Sequence, residues 1–134
     1  MAFNSAPKFR AGATIHVSRF MKVSAVADNT ALEAAAATDK LIGVSQEGQK
    51  RTPGLPGSDS TIAAEVGDEI MMFGHGDICL ITAGAAVVAG DYLTSDASGR
   101  AVTAVITNNV GGQALEAATG AGVKFRMQVL NFVW

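Results

Sequence analysis

The residues that could do chemistry are few in this sequence, and they do not fall at a catalytic spacing. Residues 43–48 (GVSQEG) come near the G-x-S-x-G nucleophile elbow, but the second glycine is one position late. His16 and His75 are the only histidines that could serve as a base for Ser45. The sequence therefore predicts neither a serine hydrolase nor, since no other base and nucleophile pair up, an enzyme of another kind.

Metal and phosphate chemistry are equally poorly supported. Residues 74–77 (GHGD) could form a corner of a metal site, but zinc needs three or four ligands. One cysteine, two histidines and scattered carboxylates offer no such spacing. A hairpin turn, with glycine at positive φ and Asp77 bonding the backbone, is the favoured interpretation. No glycine-rich phosphate motif is present either, so we expect no metal and no cofactor.

Composition limits the possible partners. The chain has 134 residues, enough for one domain with a real core, and carries a net charge of −2 with a pI near 5.6. Nucleic-acid-binding domains usually have a pI above about 9 or a basic stripe. Only 16% of residues are charged, against about 25% in typical soluble domains. A surface with so little charge suits a protein that packs against neighbours, and no nucleic-acid partner is expected.

Cysteine usage and hydropathy indicate the compartment. The single cysteine, Cys79, lies in an apolar run and suits a reducing compartment, where a free thiol behaves as a small hydrophobe. The first residues lack the apolar region of a signal peptide. The longest apolar run, residues 83–89, is far shorter than the roughly 18 residues of a membrane span. We therefore expect synthesis in a cytoplasm and no membrane partner.

Turn signals recur at close spacing and predict an all-β domain. Glycine followed by aspartate occurs at residues 67–68, 76–77 and 90–91, and Gly111-Gly112 is a further turn signal, all between short apolar segments. The predicted strands cover residues 14–23, 41–45, 61–66, 69–73, 78–82, 85–88, 92–95, 100–107 and 123–133. In the last of these, Val123, Phe125, Met127 and Val129 share the apolar face of a half-buried strand. Residues 28–37 fit either one short helix, with Thr30 and Glu33 as a capping box, or an extended hairpin.

Two segments fall outside this strand pattern. Residues 1–12 have no periodicity and are predicted to form an extended N-terminal arm, leaving residues 13–134 as a single β domain. The arm carries Phe3 and Phe9, and it either docks onto a partner or packs on its own domain. Residues 48–60 form a loop, since proline and glycine interrupt it repeatedly.

With these residues in place, the sequence resembles the capsid cement, or decoration, proteins of tailed bacteriophages over roughly residues 20–130. The resemblance rests on residues 41–48 (LIGVSQEG), 76–80 (GDICL), 88–102 (VAGDYLTSDASGRAV) and 112–118 (GQALEAA). It implies a small antiparallel β-barrel or sandwich, β-tulip-like, with at most one short helix. It also implies a non-enzymatic protein on the outer surface of the virion head. Such a protein bridges neighbouring subunits of the major capsid protein and commonly forms a homotrimer.

Two sets of candidate contact residues follow. The arm and the loop supply the predicted capsid contacts, because aromatic anchors and arginine are enriched at energetic centres of interfaces. These residues are Phe3, Lys8, Phe9, Arg10, Lys50, Arg51 and Pro53. Deleting residues 2–11 is expected to leave a folded domain that no longer decorates heads. The predicted oligomer interface is Leu130, Phe132 and Trp134, which lie beyond the clean alternation of the last strand.

An alternative function remains open at this point. The chain could be a head-fibre or host-surface module that binds carbohydrate or peptide. Exposed aromatic pairs near one loop would favour this alternative. Tyr92 and Trp134 are the only tyrosine and the only tryptophan of the chain, which disfavours it.

Overall fold

A computed structural model describes residues 8–46 and 62–134, and all regular structure within them is β-strand. The strands are β1 (Lys8–Ala11), β2 (Ile15–His16), β3 (Phe20–Val23), β4 (Thr30–Glu33), β5 (Leu41–Ser45), β6 (Ile62–Ala64), β7 (Glu69–Phe73), β8 (Ile78–Thr82), β9 (Tyr92–Ser95), β10 (Ala101–Thr103), β11 (Asn109–Ala114) and β12 (Lys124–Val133). The prediction of an all-β fold is confirmed, and no helix occurs in the described residues.

The first half of the molecule is a closed barrel. Its strand order is β1-β4-β3-β5-β7, and β7 returns to pair with β1. All its pairs are antiparallel except β1 with β4, which is parallel. A short β2-β6 ribbon lies beside it. The core of this half is built from small and flexible apolar residues: Ala11, Ile15, Val17, Met21, Ala31, Ala63, Ala64, Ile70 and Met72.

The second half is a five-stranded antiparallel sheet in the order β10-β9-β11-β12-β8. One hydrophobic cluster joins it to the barrel, with Phe20 and Val44 from the barrel strands. The sheet contributes Phe125, Met127 and Val129 of β12, as their alternation predicted. Two apolar layers therefore meet face to face, which is the usual way in which a barrel and a sheet share one core.

Strand β11 crosses the centre of this contact and was not predicted from the sequence. Its Gly111 and Gly112 read as turn punctuation, but they lie inside the strand. A Cβ at Gly111 would overlap the Phe20 ring and come within 2.7 Å of Leu41 Cδ1. A Cβ at Gly112 would overlap the side chain of Met127. At Gly111 a side chain would force the barrel and the sheet apart, and at Gly112 it would displace Met127 of the neighbouring strand β12.

Residues 28–37 take the extended alternative. Thr30–Glu33 forms β4, and the alanines after it turn back instead of forming a helix. The carboxylate of Asp39 accepts hydrogen bonds from the N–H groups of Ala35 (2.8 Å) and Ala36 (3.1 Å). Lys22 Nζ lies 3.2 Å from the same oxygen. A local side-chain cap by Asp39, only three and four residues along the chain, thus outweighs the helix propensity of the alanine run.

The turn that Asp39 holds should make the free energy of unfolding depend on pH. Burial by itself raises the pKa of Asp39, but the bonds from Ala35 and Ala36 and the Lys22 charge outweigh it and hold the pKa below 3.8. A carboxylate with a lowered pKa stabilises the fold above its unfolded pKa and loses that contribution as pH falls through the folded value. Asp39→Asn should therefore cost about 1 kcal/mol of unfolding free energy at neutral pH.

Urea unfolding at several pH values measures this effect. The difference between wild type and Asp39→Asn should shrink as pH falls from about 5 toward about 3, below the unfolded pKa. Asp28→Asn, at an exposed turn, is the matched control. A difference that stays constant over this pH range would show that the charge of Asp39 is not what stabilises the turn.

Three further boundaries differ from the sequence prediction. Residues 14–23 split into β2 and β3 around Ser18, which has a positive φ of 59°. Residues 85–88 contain only an isolated bridge from Val87 to Ala118. The strand predicted over residues 100–107 is shortened to β10, because residues 105–108 form a turn.

The predicted arm is corrected by β1. Lys8–Ala11 pairs with β4 on one side and β7 on the other, so these residues belong to the barrel. Ala11 is buried, Arg10 is exposed and Phe9 packs against the barrel core. The domain therefore begins no later than Lys8. Residues 1–7 and the loop of residues 48–60 lie outside the described residues.

Candidate binding surfaces

An aromatic cluster lies where β9 and β12 approach each other across β11. The Tyr92 ring makes edge-to-face contacts with Phe132 and with Trp134, each with a centroid distance of 5.2 Å. The main chain of Trp134 is fixed by two hydrogen bonds, from its N–H to Asn108 O and from Thr107 N–H to its carbonyl. Tyr92 and Trp134 are far apart in the sequence, but the strand order of the sheet places their rings in contact.

The cluster is part of a larger exposed apolar surface, which we call the aromatic end. It consists of Tyr92, Val105, Ile106, Phe132, Val133 and Trp134. Phe132 is 38% exposed and Trp134 is 42% exposed, whereas Leu130 is half-buried. Residues 101–115 and 127–134 contain no charged side chain. A contiguous apolar surface of this kind is typical of an interaction site.

The turn at residues 105–108 is a variant of a motif that recurs in this chain. Residues 65–68, 74–77 and 88–91 each have glycine at positive φ in third place and aspartate in fourth. The aspartate side chain accepts the N–H of the first residue in all three turns. In residues 105–108, Asn108 plays the aspartate's part with a bond of 2.9 Å. Its third residue is Thr107, with a φ of 84°.

Thr107 is strained, because a β-branched side chain at positive φ is a backbone outlier. Replacing it with glycine, as in the three related turns, should therefore stabilise the isolated domain by about 1 kcal/mol. Urea unfolding of Thr107→Gly measures this. Thr103→Gly in β10 is the control and should destabilise the domain, since glycine weakens a strand interior. A loss of stability in Thr107→Gly would show that the turn is not strained.

The predicted capsid contacts are only partly described. Lys8 and Arg10 lie in β1, whereas Phe3, Lys50, Arg51 and Pro53 lie outside the described residues. Phe9 takes the second of its two alternatives and packs on its own domain, where it is half-buried because alternate residues of β1 face the core.

Among the predicted capsid-contact residues, Arg10 has acidic residues beside it. Arg10, Asp28 and Glu69 line an open depression of about 540 Å³. Two carboxylates and one guanidinium therefore line this depression.

The side chains considered for catalysis or metal binding make structural contacts. Ser45 is buried, and its hydroxyl donates to the backbone oxygen of His16 at 2.6 Å. His75 Nδ1 accepts the N–H of Asn131 at 3.0 Å. Burial, with a smaller effect of Asp77, raises the pKa of the Cys79 thiol to about 12, so it stays protonated at neutral pH.

Within residues 8–46 and 62–134, no group of three or more His, Cys, Asp or Glu side chains is placed to hold a metal ion. That part of the chain also has no helix with the length and apolar character needed to cross a bilayer.

These features define an all-β domain in which a five-stranded barrel is joined to a five-stranded sheet. The sequence matches no protein-family model and no curated protein. Among solved structures, the fold is similar to the crystal structure of the head fiber gp8.5 N base in bacteriophage phi29, with a TM-score of 0.63. The two chains share 21% identity over 93% of this chain and 92% of that one. They therefore share a fold over almost their whole lengths.

Proposed function

We propose that this chain is a structural protein of a bacteriophage head, attached to the outer surface of the shell. The observation that carries the proposal is the fold shared with a head-fiber base over 93% of the chain. The aromatic end supports it independently, because an exposed apolar surface suits a protein that works by packing against others. The partners proposed are the major capsid protein and further copies of this chain.

Two roles within this class are distinguishable. As a head-fibre base, the domain would hold a fibre on the shell, and the solved neighbour favours this role. As a cement protein, it would bridge neighbouring capsid subunits, and the sequence resemblance favours that role. The clustering of Tyr92, Phe132 and Trp134 supplies the aromatic pairs whose apparent absence counted against the fibre-type module.

Binding to purified heads that lack this protein tests the proposal. The protein is added to such heads, and electron microscopy at subunit resolution locates the added density. Density on the outer surface supports a head protein, and absence of density at saturating concentration would overturn the proposal. A cement protein should also raise the temperature at which the heads rupture, whereas a fibre base should leave that temperature unchanged.

The same preparation tests the proposed homotrimer. We expect Phe132→Ser with Trp134→Ser to weaken self-association at least about thirtyfold, since central aromatic anchors carry about 2 kcal/mol or more. Sedimentation velocity over a concentration series measures the mass. Ile78→Thr, which changes an exposed apolar residue of the edge strand β8 outside the aromatic end, is the control. Equal self-association in both variants would exclude the aromatic end as the oligomer interface.

A further inference from the structure

An open groove on the side of the barrel is separate from the aromatic cluster. It lies along the β3–β4 hairpin and residues 38–42, and its volume is about 610 Å³. Its apolar wall includes Val23, Val26, Leu32 and Ile42. Val26 is 95% exposed in the hairpin turn, a position where polar residues are usual. The groove is therefore an apolar surface that the fold itself does not require.

Three charged side chains line this groove, and two of them form an ion pair with each other. Lys22 and Asp39 form an ion pair at 3.2 Å, and Asp39 also accepts two backbone N–H groups. Their charges are compensated. Lys40, at the rim, is exposed and forms no ion pair with any residue in the described ranges. The groove therefore offers one uncompensated positive charge beside an apolar wall.

Lys40 also connects the groove to the aromatic end. It lines a second, smaller pocket of about 180 Å³, together with Asn109, Phe132 and Val133. Lys40 thus lines both depressions. Open depressions of this kind do not enclose a small ligand, because small-molecule sites bury most of the ligand's surface. Two depressions that share a lining residue suit an extended polypeptide that passes over Lys40.

We propose that this groove binds an extended segment of another protein, whose apolar side chains cover Val23, Val26 and Leu32 and whose carboxylate pairs with Lys40. Because the positive charge of Lys40 is unpaired, the segment that covers it must carry a negative charge at this position. The inference rests on the proposed function, in which the segment belongs to the head shell. It assigns the shell contact to the β3–β4 side of the barrel, where no contact was predicted from the sequence.

Binding of variants to heads that lack this protein tests the Lys40 contact. Lys40→Ala should raise the dissociation constant about tenfold, and Lys40→Glu should raise it further, since alanine leaves the partner's carboxylate unpaired and glutamate places a like charge beside it. Lys124→Glu, at the start of β12, is the matched charge reversal and should change it less than about twofold. Salt should weaken binding of wild type more than binding of Lys40→Ala. Thermal unfolding of each variant checks that the fold is intact.

A second pair of variants tests the apolar wall. Val26→Ser should weaken binding about threefold or more, since it removes apolar area that the partner covers. Val66→Ser, an exposed valine in the turn at residues 65–68, is the control and should bind as wild type.

The outcomes separate this inference from the proposed function. If wild type does not bind heads, the proposed function fails and the groove inference fails with it. If wild type binds while Lys40→Glu binds as tightly as Lys124→Glu, only the groove inference is overturned. If Lys40→Glu abolishes self-association without heads present, the occupant is a second copy of this chain, which also overturns the inference.

Discussion

Deleting residues 2–11 is expected to unfold the barrel, because β1 closes it between β4 and β7. The deletion removes the hydrogen bonds from Arg10 N–H to Asn29 O and from Ala11 N–H to Asp68 O. Each such bond contributes about 1 kcal/mol, and the burial of Phe9 and Ala11 is lost as well. A total loss of at least about 4 kcal/mol is comparable to the 5–15 kcal/mol stability of a typical domain. This corrects the sequence-based expectation of a folded product.

Far-UV circular dichroism and urea unfolding measure this loss. The control is a deletion of residues 2–7, which keeps all of β1 and should retain a cooperative unfolding transition. Head binding by this shorter deletion also tests Phe3 as a capsid contact without disturbing the barrel. If both deletions unfold at the same urea concentration, β1 is not needed to complete the barrel.

The sequence could not predict β1, because nothing local distinguishes it from an arm. Four residues are too few to show alternation, and the partners of β1 lie far along the chain at Thr30 and Ile70. By contrast, β12 spans ten residues, and its alternation of Phe125, Met127 and Val129 was sufficient to predict the buried face. Length of the periodic segment decided which prediction was confirmed.

The candidate surfaces were predictable only in part. Phe132 and Trp134 were predicted as an exposed patch because they lie beyond the regular alternation of the last strand, and both are exposed. Their contact with Tyr92 depends on sheet order, which no local pattern encodes. The groove beside Lys40 depends likewise on the turn that Asp39 holds against the helix propensity of the alanines.

The glycines of β11 were wrongly predicted to form a turn for a related reason. Glycine signals a turn when its φ is positive, but it also permits close approach of another chain segment. At Gly111 the second reason applies, since the Phe20 ring occupies the space of a side chain. The sequence alone does not distinguish the two reasons, because the crowding residue comes from the other half of the molecule.

Gly111→Ala is therefore expected to destabilise the domain by about 3 kcal/mol, as overpacking of a well-packed core does. The added methyl group overlaps the Phe20 ring and lies within 2.7 Å of Leu41 Cδ1. Urea unfolding compares this variant with Gly74→Ala, where the added methyl group meets no atom within 4 Å. The control should be neutral or slightly more stable, because alanine restricts the unfolded chain.

A double variant identifies which neighbour causes the strain at Gly111. Phe20→Leu removes the ring atoms nearest to the added methyl group, at the cost of a cavity between barrel and sheet. Since the two positions are in contact, Gly111→Ala with Phe20→Leu should be destabilised by about 1 kcal/mol less than the sum of the single variants. Additive losses would instead assign the strain to Leu41. If Gly111→Ala alone were as stable as Gly74→Ala, the barrel and sheet would be packed less closely than the contact of Phe20 with β11 requires.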